Sequence, residues 1–158
     1  LKENALKSIQ IVKNHYNDFS FTKIDNVDLN KCLSFLDDNL KPFFRAALGN
    51  YKTTIKAKNE FQKDQLDIDK IADLINIHHS FLKNDLKITT PEIDDMINIA
   101  TDNGSIGSKI VGSGGGGSLI CLSKNQSCSL KIVNELKKYG VKDAFIANLG
   151  KGPTISYE

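Results

Sequence analysis

Leu40, Phe43, Phe44, Ala47, Tyr51 and Ile55 recur at three- and four-residue intervals, the spacing of one face of a long helix from about residue 40 to residue 63. Leu6, Ile9, Val12 and Tyr16 predict a helix before it, and Leu29 to Leu36 a short third. Ile68, Ile71, Ala72, Ile75, His79 and Leu82 form the next stripe, with Asp67 available as its cap. The start that follows is the most sharply marked. In TTPEIDDMINIATDNG, Thr90 can cap, Pro91 suits a first helical position that needs no amide hydrogen, and Glu92 faces the positive end of the helix dipole. Ile93, Met96, Ile97 and Ala100 supply the buried face, and Asn103-Gly104 a left-handed stop.

After Gly104 the period changes. Ser108 to Val111 and Leu119 to Leu122 are short apolar runs rich in β-formers, lying on either side of a glycine run. A helix is predicted from about Ser129 to Tyr139, closed by Gly140. The last stretch, DAFIANLGKGPTISYE, reads as two strands joined by a Gly-Lys-Gly turn. Strand, loop, strand, helix, strand, strand is an α+β pattern, with helices packed on one face of a mainly antiparallel sheet.

Composition narrows the possibilities. The 158 residues suit one domain, and 40% hydrophobic with 25% charged residues is ordinary for a globular protein. A net charge of +2, with Arg45 the only arginine among 21 basic residues, gives no electrostatic case for nucleic acid as the main partner. No apolar run approaches the roughly 20 residues that span a membrane, so no membrane partner is expected and cytoplasm is the expected compartment. Cys32, Cys121 and Cys128 are an odd number without C-x-x-C pairing, which indicates neither a disulfide framework nor a zinc site.

The glycine run, GSGGGGS, is the unusual element. Its composition is that of a flexible linker. A linker, however, should separate self-sufficient units, and only 40 residues follow Ser118, beginning with a strand that needs neighbours. Two other readings stay open, a glycine-rich hairpin and a ligand loop. In the ligand loop, residues without Cβ take positive φ and bring amide hydrogens or bare main chain against an anion or substrate.

GSIGSKIVGSGGGGSLICL resembles the C-terminal glycine motif of the GHMP kinases, G-A-x-G-A/S-K/R-x-T-G-x-G-x-G-G-C. Gly104, Gly107, Ser108, Lys109, Gly112, Gly114, Gly116 and Gly117 fall on it. Upstream, LINIHHSFLKNDLKITTPEIDDMINIA is similar without a gap to the galactokinase block of that family, matching at Leu74, Asn76, His79, Leu82, Asp85, Pro91, Glu92 and Asp94. Gly115, Ser118 and Val111 depart from galactokinases, which usually carry a large residue, Cys and Thr there. The unbroken Gly114 to Gly117 is more like mevalonate kinase.

The resemblance implies a GHMP kinase C-terminal domain over residues 1–158, with a ferredoxin-like antiparallel sheet, helices on one face and additional N-terminal helices. The family's P-x-x-x-G-L-x-S-S ATP loop and proposed catalytic base belong to an N-terminal domain and are not in this sequence. The expected function is therefore half of a galactokinase-like sugar kinase in carbohydrate metabolism. It would be inactive alone, with ATP and Mg2+ as cofactors of the full-length enzyme, neither of them bound by this half alone. Its partners would be galactose or a related small-molecule acceptor and the N-terminal kinase domain. Alternatives are mevalonate kinase, another GHMP kinase, or a non-catalytic metabolite-binding domain.

Gly112, Ser113, Gly114, Gly115, Gly116 and Gly117 are the expected substrate- and phosphate-binding loop, with no catalytic residue and no metal ligand in this chain. The remaining polar residues have plainer expected roles. His79 should be a hydrogen-bonded packing residue, His78 and the Asp94-Asp95 pair should face solvent, and Lys109 should be a solvated strand residue. Asp85 should orient the turn before Thr89, and Cys121 should be a small buried hydrophobe.

Overall fold

The computed structural model describes residues 1–112 and 114–148. Helix α1 (Lys2–His15) leads through a 3-10 turn (Phe21–Asn26) and short α2 (Leu29–Ser34) to the long α3 (Lys41–Phe61). Then come α4 (Ile68–Ser80), a π-helical turn (Phe81–Asp85), α5 (Pro91–Asp102), strands β1 (Ser105–Val111) and β2 (Ser118–Ser123), and α6 (Gln126–Tyr139).

The boundaries follow from side-chain caps. Asp67 accepts from Lys70 N at 3.0 Å, Thr90 Oγ1 from Ile93 N at 3.4 Å, and Asn125 Oδ1 from Cys128 N at 2.9 Å, each satisfying an amide that the first turn leaves without a partner. Asn125 starts α6 three residues earlier than the apolar spacing indicates. Gly140 closes it in the left-handed region, at φ 100°.

Three apolar clusters hold these elements. Val12, Phe19, Ile24, Val27, Cys32, Leu36, Leu40, Phe44 and Leu48 join α1, α2 and the first half of α3. Leu82, Ile93 and Ile110 tie the π-helical turn and α5 to β1, and Ala100, Ile132 and Leu136 pack α5 on α6, with Cys121 of β2 alongside. The domain is thus α+β, helix-rich with a two-stranded antiparallel sheet among the described residues. Residues 143–148, expected as a strand, form none. Val141 and Ala144 turn into the α5–α6 cluster, and Phe145 is 76% exposed. The expected Gly-Lys-Gly turn and final strand lie outside the described residues.

Helix α3 is buried on more than the single stripe its spacing predicts: Ala46, Leu48, Thr53 and Glu60 are also enclosed. Glu60 is 1% exposed. Its carboxylate meets Lys63 Nζ and Lys70 Nζ, each at 2.8 Å, and accepts from Asp67 N at 3.3 Å, joining the end of α3 to the start of α4. The hydrogen bonds from Lys63 and Lys70 outweigh the cost of burial and lower its pKa from 4.5 to about 2. A depressed carboxyl pKa contributes stability that is complete above 4.5 and is lost as pH falls through about 2. Glu60→Gln in the full-length protein is therefore expected to lower Tm at neutral pH and to flatten the loss of Tm between pH 4.5 and 2. Parallel wild-type and variant curves over that window would show that Glu60 does not contribute to acid unfolding.

Candidate functional site

The two strands flanking the glycines pair directly. Val111 lies opposite Ser118, Lys109 opposite Ile120 and Gly107 opposite Leu122, with an irregularity between Ser105 and Gly107. The run is therefore the connection of an antiparallel hairpin and not a linker between independent units. Gly112, Gly114, Gly115, Gly116 and Gly117 all have positive φ, between 74° and 128°, a region L-residues with a Cβ rarely adopt. Ser113 lies outside the described residues.

The loop is docked on its own chain. Gly115 N–H donates to the Ile88 carbonyl at 2.8 Å, just before the Thr90 cap of α5. A Cβ on Gly114 would sit 2.7 Å from that oxygen and 2.8 Å from Ile88 Cβ. At Gly112, Gly115, Gly116 and Gly117 a Cβ would meet nothing within 4 Å among the described residues. Glycine thus has one cause at all five positions, backbone conformation, and a second at Gly114, contact with Ile88. The sequence alone could not separate them, because Ile88 is a distant neighbour brought in by the fold.

The strand beneath the loop is pinned to α4. Asn76 Nδ2 donates to the Ile106 carbonyl at 2.9 Å and Asn76 Oδ1 accepts from Ser108 N at 3.0 Å, as a neighbouring strand would at that point. Between these bonds, Gly107 lets β1 approach the helix so closely that a Cβ would lie 2.9 Å from both Ala72 Cα and Ala72 O. Ser105 Oγ, Ser108 Oγ and the Leu122 carbonyl form a hydrogen-bonded group on the sheet, at 2.8 and 3.1 Å.

Several polar residues sit otherwise than expected. His78 is half-buried, not solvent-facing, because α4 packs along β1. Burial, the Lys109 charge and His79 lower its pKa, in that order. His79 is buried as expected, but its Nδ1 has no hydrogen-bond partner among the described residues; burial lowers its pKa, with Asp94 acting in the opposite direction. Asp94 is drawn inward to Lys83 Nζ at 3.0 Å, whereas Asp95 stays exposed and accepts from the Tyr139 hydroxyl at 3.1 Å. The two carboxylates therefore do not act as a pair. Lys109 folds back on its strand, its Nζ donating to the Ile110 carbonyl at 2.9 Å. Cys121 is partly buried, and burial raises its pKa against hydrogen bonds from Ser108 and Ser105.

Asp85 takes part in a contact the sequence reading missed. It accepts from Arg45 Nε at 2.7 Å, across 40 residues. No local pattern announces such a pair, although a lone arginine among lysines was a signal to follow.

The sequence is similar to those of known proteins. Residues 57–142 match the family model described as GHMP kinases C terminal. The chain is 31% identical over 122 residues to a galactokinase of Fusobacterium nucleatum, covering 73% of this chain and 31% of that protein. It is 29% identical over 136 residues to a galactokinase of Bacillus subtilis, covering 82% of this chain and 34% of the relative. A galactokinase of Clostridium acetobutylicum is 28% identical over 156 residues, 95% of this chain and 39% of the relative. The chain thus spans about a third of the length of the curated relatives it matches. With the glycine hairpin, the capped α5 and the match across more than half its residues, the chain belongs to the GHMP kinase family, whose C-terminal domain it carries.

Proposed function

We propose that residues 1–158 form the C-terminal domain of an ATP-dependent sugar kinase of galactokinase type, acting in the cytoplasm, and that the loop of residues 112–117 forms one wall of its active site. The reading rests on one observation above all. A family-matched hairpin presents five glycines at positive φ, four of them with open space, among the described residues, where a side chain would stand. Such a bare main chain fits a substrate or phosphate that must come close to amide groups. Because Gly115 N–H is already bonded to Ile88, the amides for a ligand would be those of its neighbours in the loop.

In the reaction proposed, the acceptor hydroxyl attacks the terminal phosphorus of ATP, the bond to the β-phosphate oxygen breaks, and the hydroxyl proton passes to a base. The products are a phosphate ester and ADP. Magnesium-bound ATP would supply the phosphoryl group. The nucleotide loop, metal ligands and base are assigned to an N-terminal domain, so this half alone is inactive. The role of the present chain is positional: residues 112–117 shape the acceptor side of the cleft and exclude water. Phosphoryl transfer depends on positioning and charge stabilisation rather than on a covalent intermediate.

The test is ADP release by the full-length protein with Mg-ATP and a panel of galactose, other hexoses, mevalonate and homoserine. Turnover with galactose is the expected result. Turnover with mevalonate alone, the acceptor that the unbroken Gly114 to Gly117 would fit, overturns the sugar and keeps the loop. No turnover with any member contradicts the kinase reading and favours a metabolite-binding domain.

A further inference from the structure

The turn on which the glycine loop rests is built irregularly. Helix α4 does not close at Ser80 but widens into the π-helical turn Phe81–Asp85, a form that recurs at functional sites. Two residues on, Lys87 sits at φ 51°, a left-handed conformation uncommon for a residue other than glycine, asparagine or aspartate. The Leu86 and Ile88 amides fold back to Phe81 O at 3.0 Å and Leu82 O at 3.1 Å. The outcome is an Ile88 carbonyl directed at Gly115 N–H. Strained backbone of this kind persists only where its surroundings hold it.

One stripe of α3 supplies that hold at both ends. Gly49 leaves a bare patch on which the Phe81 ring lies, so close that a Cβ there would fall within the ring's own space. Arg45, one turn earlier on the same face, donates Nε–H to Asp85 Oδ1 at 2.7 Å. Gly49 thus receives the first residue of the π-helical turn and Arg45 ties down the last. The Asp85 side chain is 12% exposed and that of Arg45 42%, so the carboxylate is withdrawn from solvent while the arginine reaches it from the surface. Neighbouring Phe44 and Leu48 fix α3 in the N-terminal cluster, which makes it a rigid support.

We propose that the Arg45–Asp85 pair is the positioning device of the glycine loop. It fixes the π-helical turn, the turn fixes the Ile88 carbonyl, and the carbonyl fixes Gly115. Neither residue touches the reacting groups. Their place in catalysis rests on the kinase reading above, whereas their place in ordering the loop does not.

Amide hydrogen exchange of the segment spanning residues 112–118, measured in the full-length protein, tests this without reference to turnover. Arg45→Met keeps the stem of the side chain and removes the donor. Exchange in that segment is expected to rise several-fold, with α3 and α5 close to wild type. In turnover, kcat should fall on the order of tenfold to a hundredfold with a smaller change in acceptor KM. Arg45→Lys keeps the charge but lacks the planar Nε–H, so it should loosen the loop as well. Asp85→Asn leaves Arg45 without its counter-charge and should raise exchange in the loop as well, by less than Arg45→Met because an acceptor oxygen remains. Unchanged exchange in the loop of both Arg45 variants overturns the proposal, as does exchange that rises equally in α3, α4 and α5. A wild-type protein that turns over none of the acceptors refutes the kinase reading, and the exchange result still decides the positioning role.

Discussion

Gly107→Val is expected to cost the folded protein about 3 kcal/mol or more, the upper part of the range for forcing volume into a packed site. The estimate follows from what surrounds the residue. A Cβ would meet Ala72 Cα and Ala72 O at 2.9 Å, and both belong to a helix backbone that cannot rotate aside as a side chain could. The strand cannot retreat easily either. Asn76 bonds the main chain at Ile106 and at Ser108, immediately on both sides of Gly107. Valine would have to break those two bonds or lift β1 from α4. Urea unfolding of the full-length protein measures the effect. A midpoint equal to wild type would mean that strand and helix do not meet as described.

The second large effect concerns activity. On the kinase reading, Gly114→Val in the full-length protein is expected to lower kcat/KM by more than about tenfold, since small displacements of positioning groups have effects of that order. The new side chain would collide with Ile88 O, Cβ and Cδ1, at 2.7, 2.8 and 3.0 Å from the Cβ alone, and push the loop off its anchor with loss of the Gly115–Ile88 bond. The three apolar clusters contain no loop glycine, so the fold should survive. A wild-type kcat/KM would show that the docked geometry of the loop is not needed for the reaction.

What the sequence disclosed follows the range of the forces involved. Helix α5 was legible to the residue because Thr90, Pro91 and Gly104 act locally. The hairpin was legible because apolar runs bracket the glycines. The π-helical turn was not, since FLKND carries no local signal for it and its cause is Gly49 and Arg45, more than thirty residues earlier. Lys87 is the same case, a left-handed residue without glycine or asparagine to mark it. His78 and Asp94 were misplaced because an apolar stripe gives one face of a helix, while packing against β1 and the π-helical turn encloses its flanks. Glu60 was missed because charged residues are rarely fully buried unless paired, and its partners Lys63 and Lys70 lie on both sides of the α3–α4 connection. The residues that hold the site are thus less legible than those that form it.

Gly116 separates contact within the chain from contact with a substrate. A Cβ there meets no atom of the described residues within 4 Å, so against them a side chain can interfere only through its φ of 128°, and otherwise through whatever else approaches the loop. Backbone strain of about 1–3 kcal/mol would register in Tm, whereas a blocked acceptor would register in rate. The decisive measurement is kcat/KM of Gly116→Val in the full-length protein with Mg-ATP and its acceptor, taken beside Tm. A fall of more than about tenfold with Tm lowered by only a few degrees places the bare main chain of the loop against the reacting groups. A wild-type rate in a folded variant would contradict that placement.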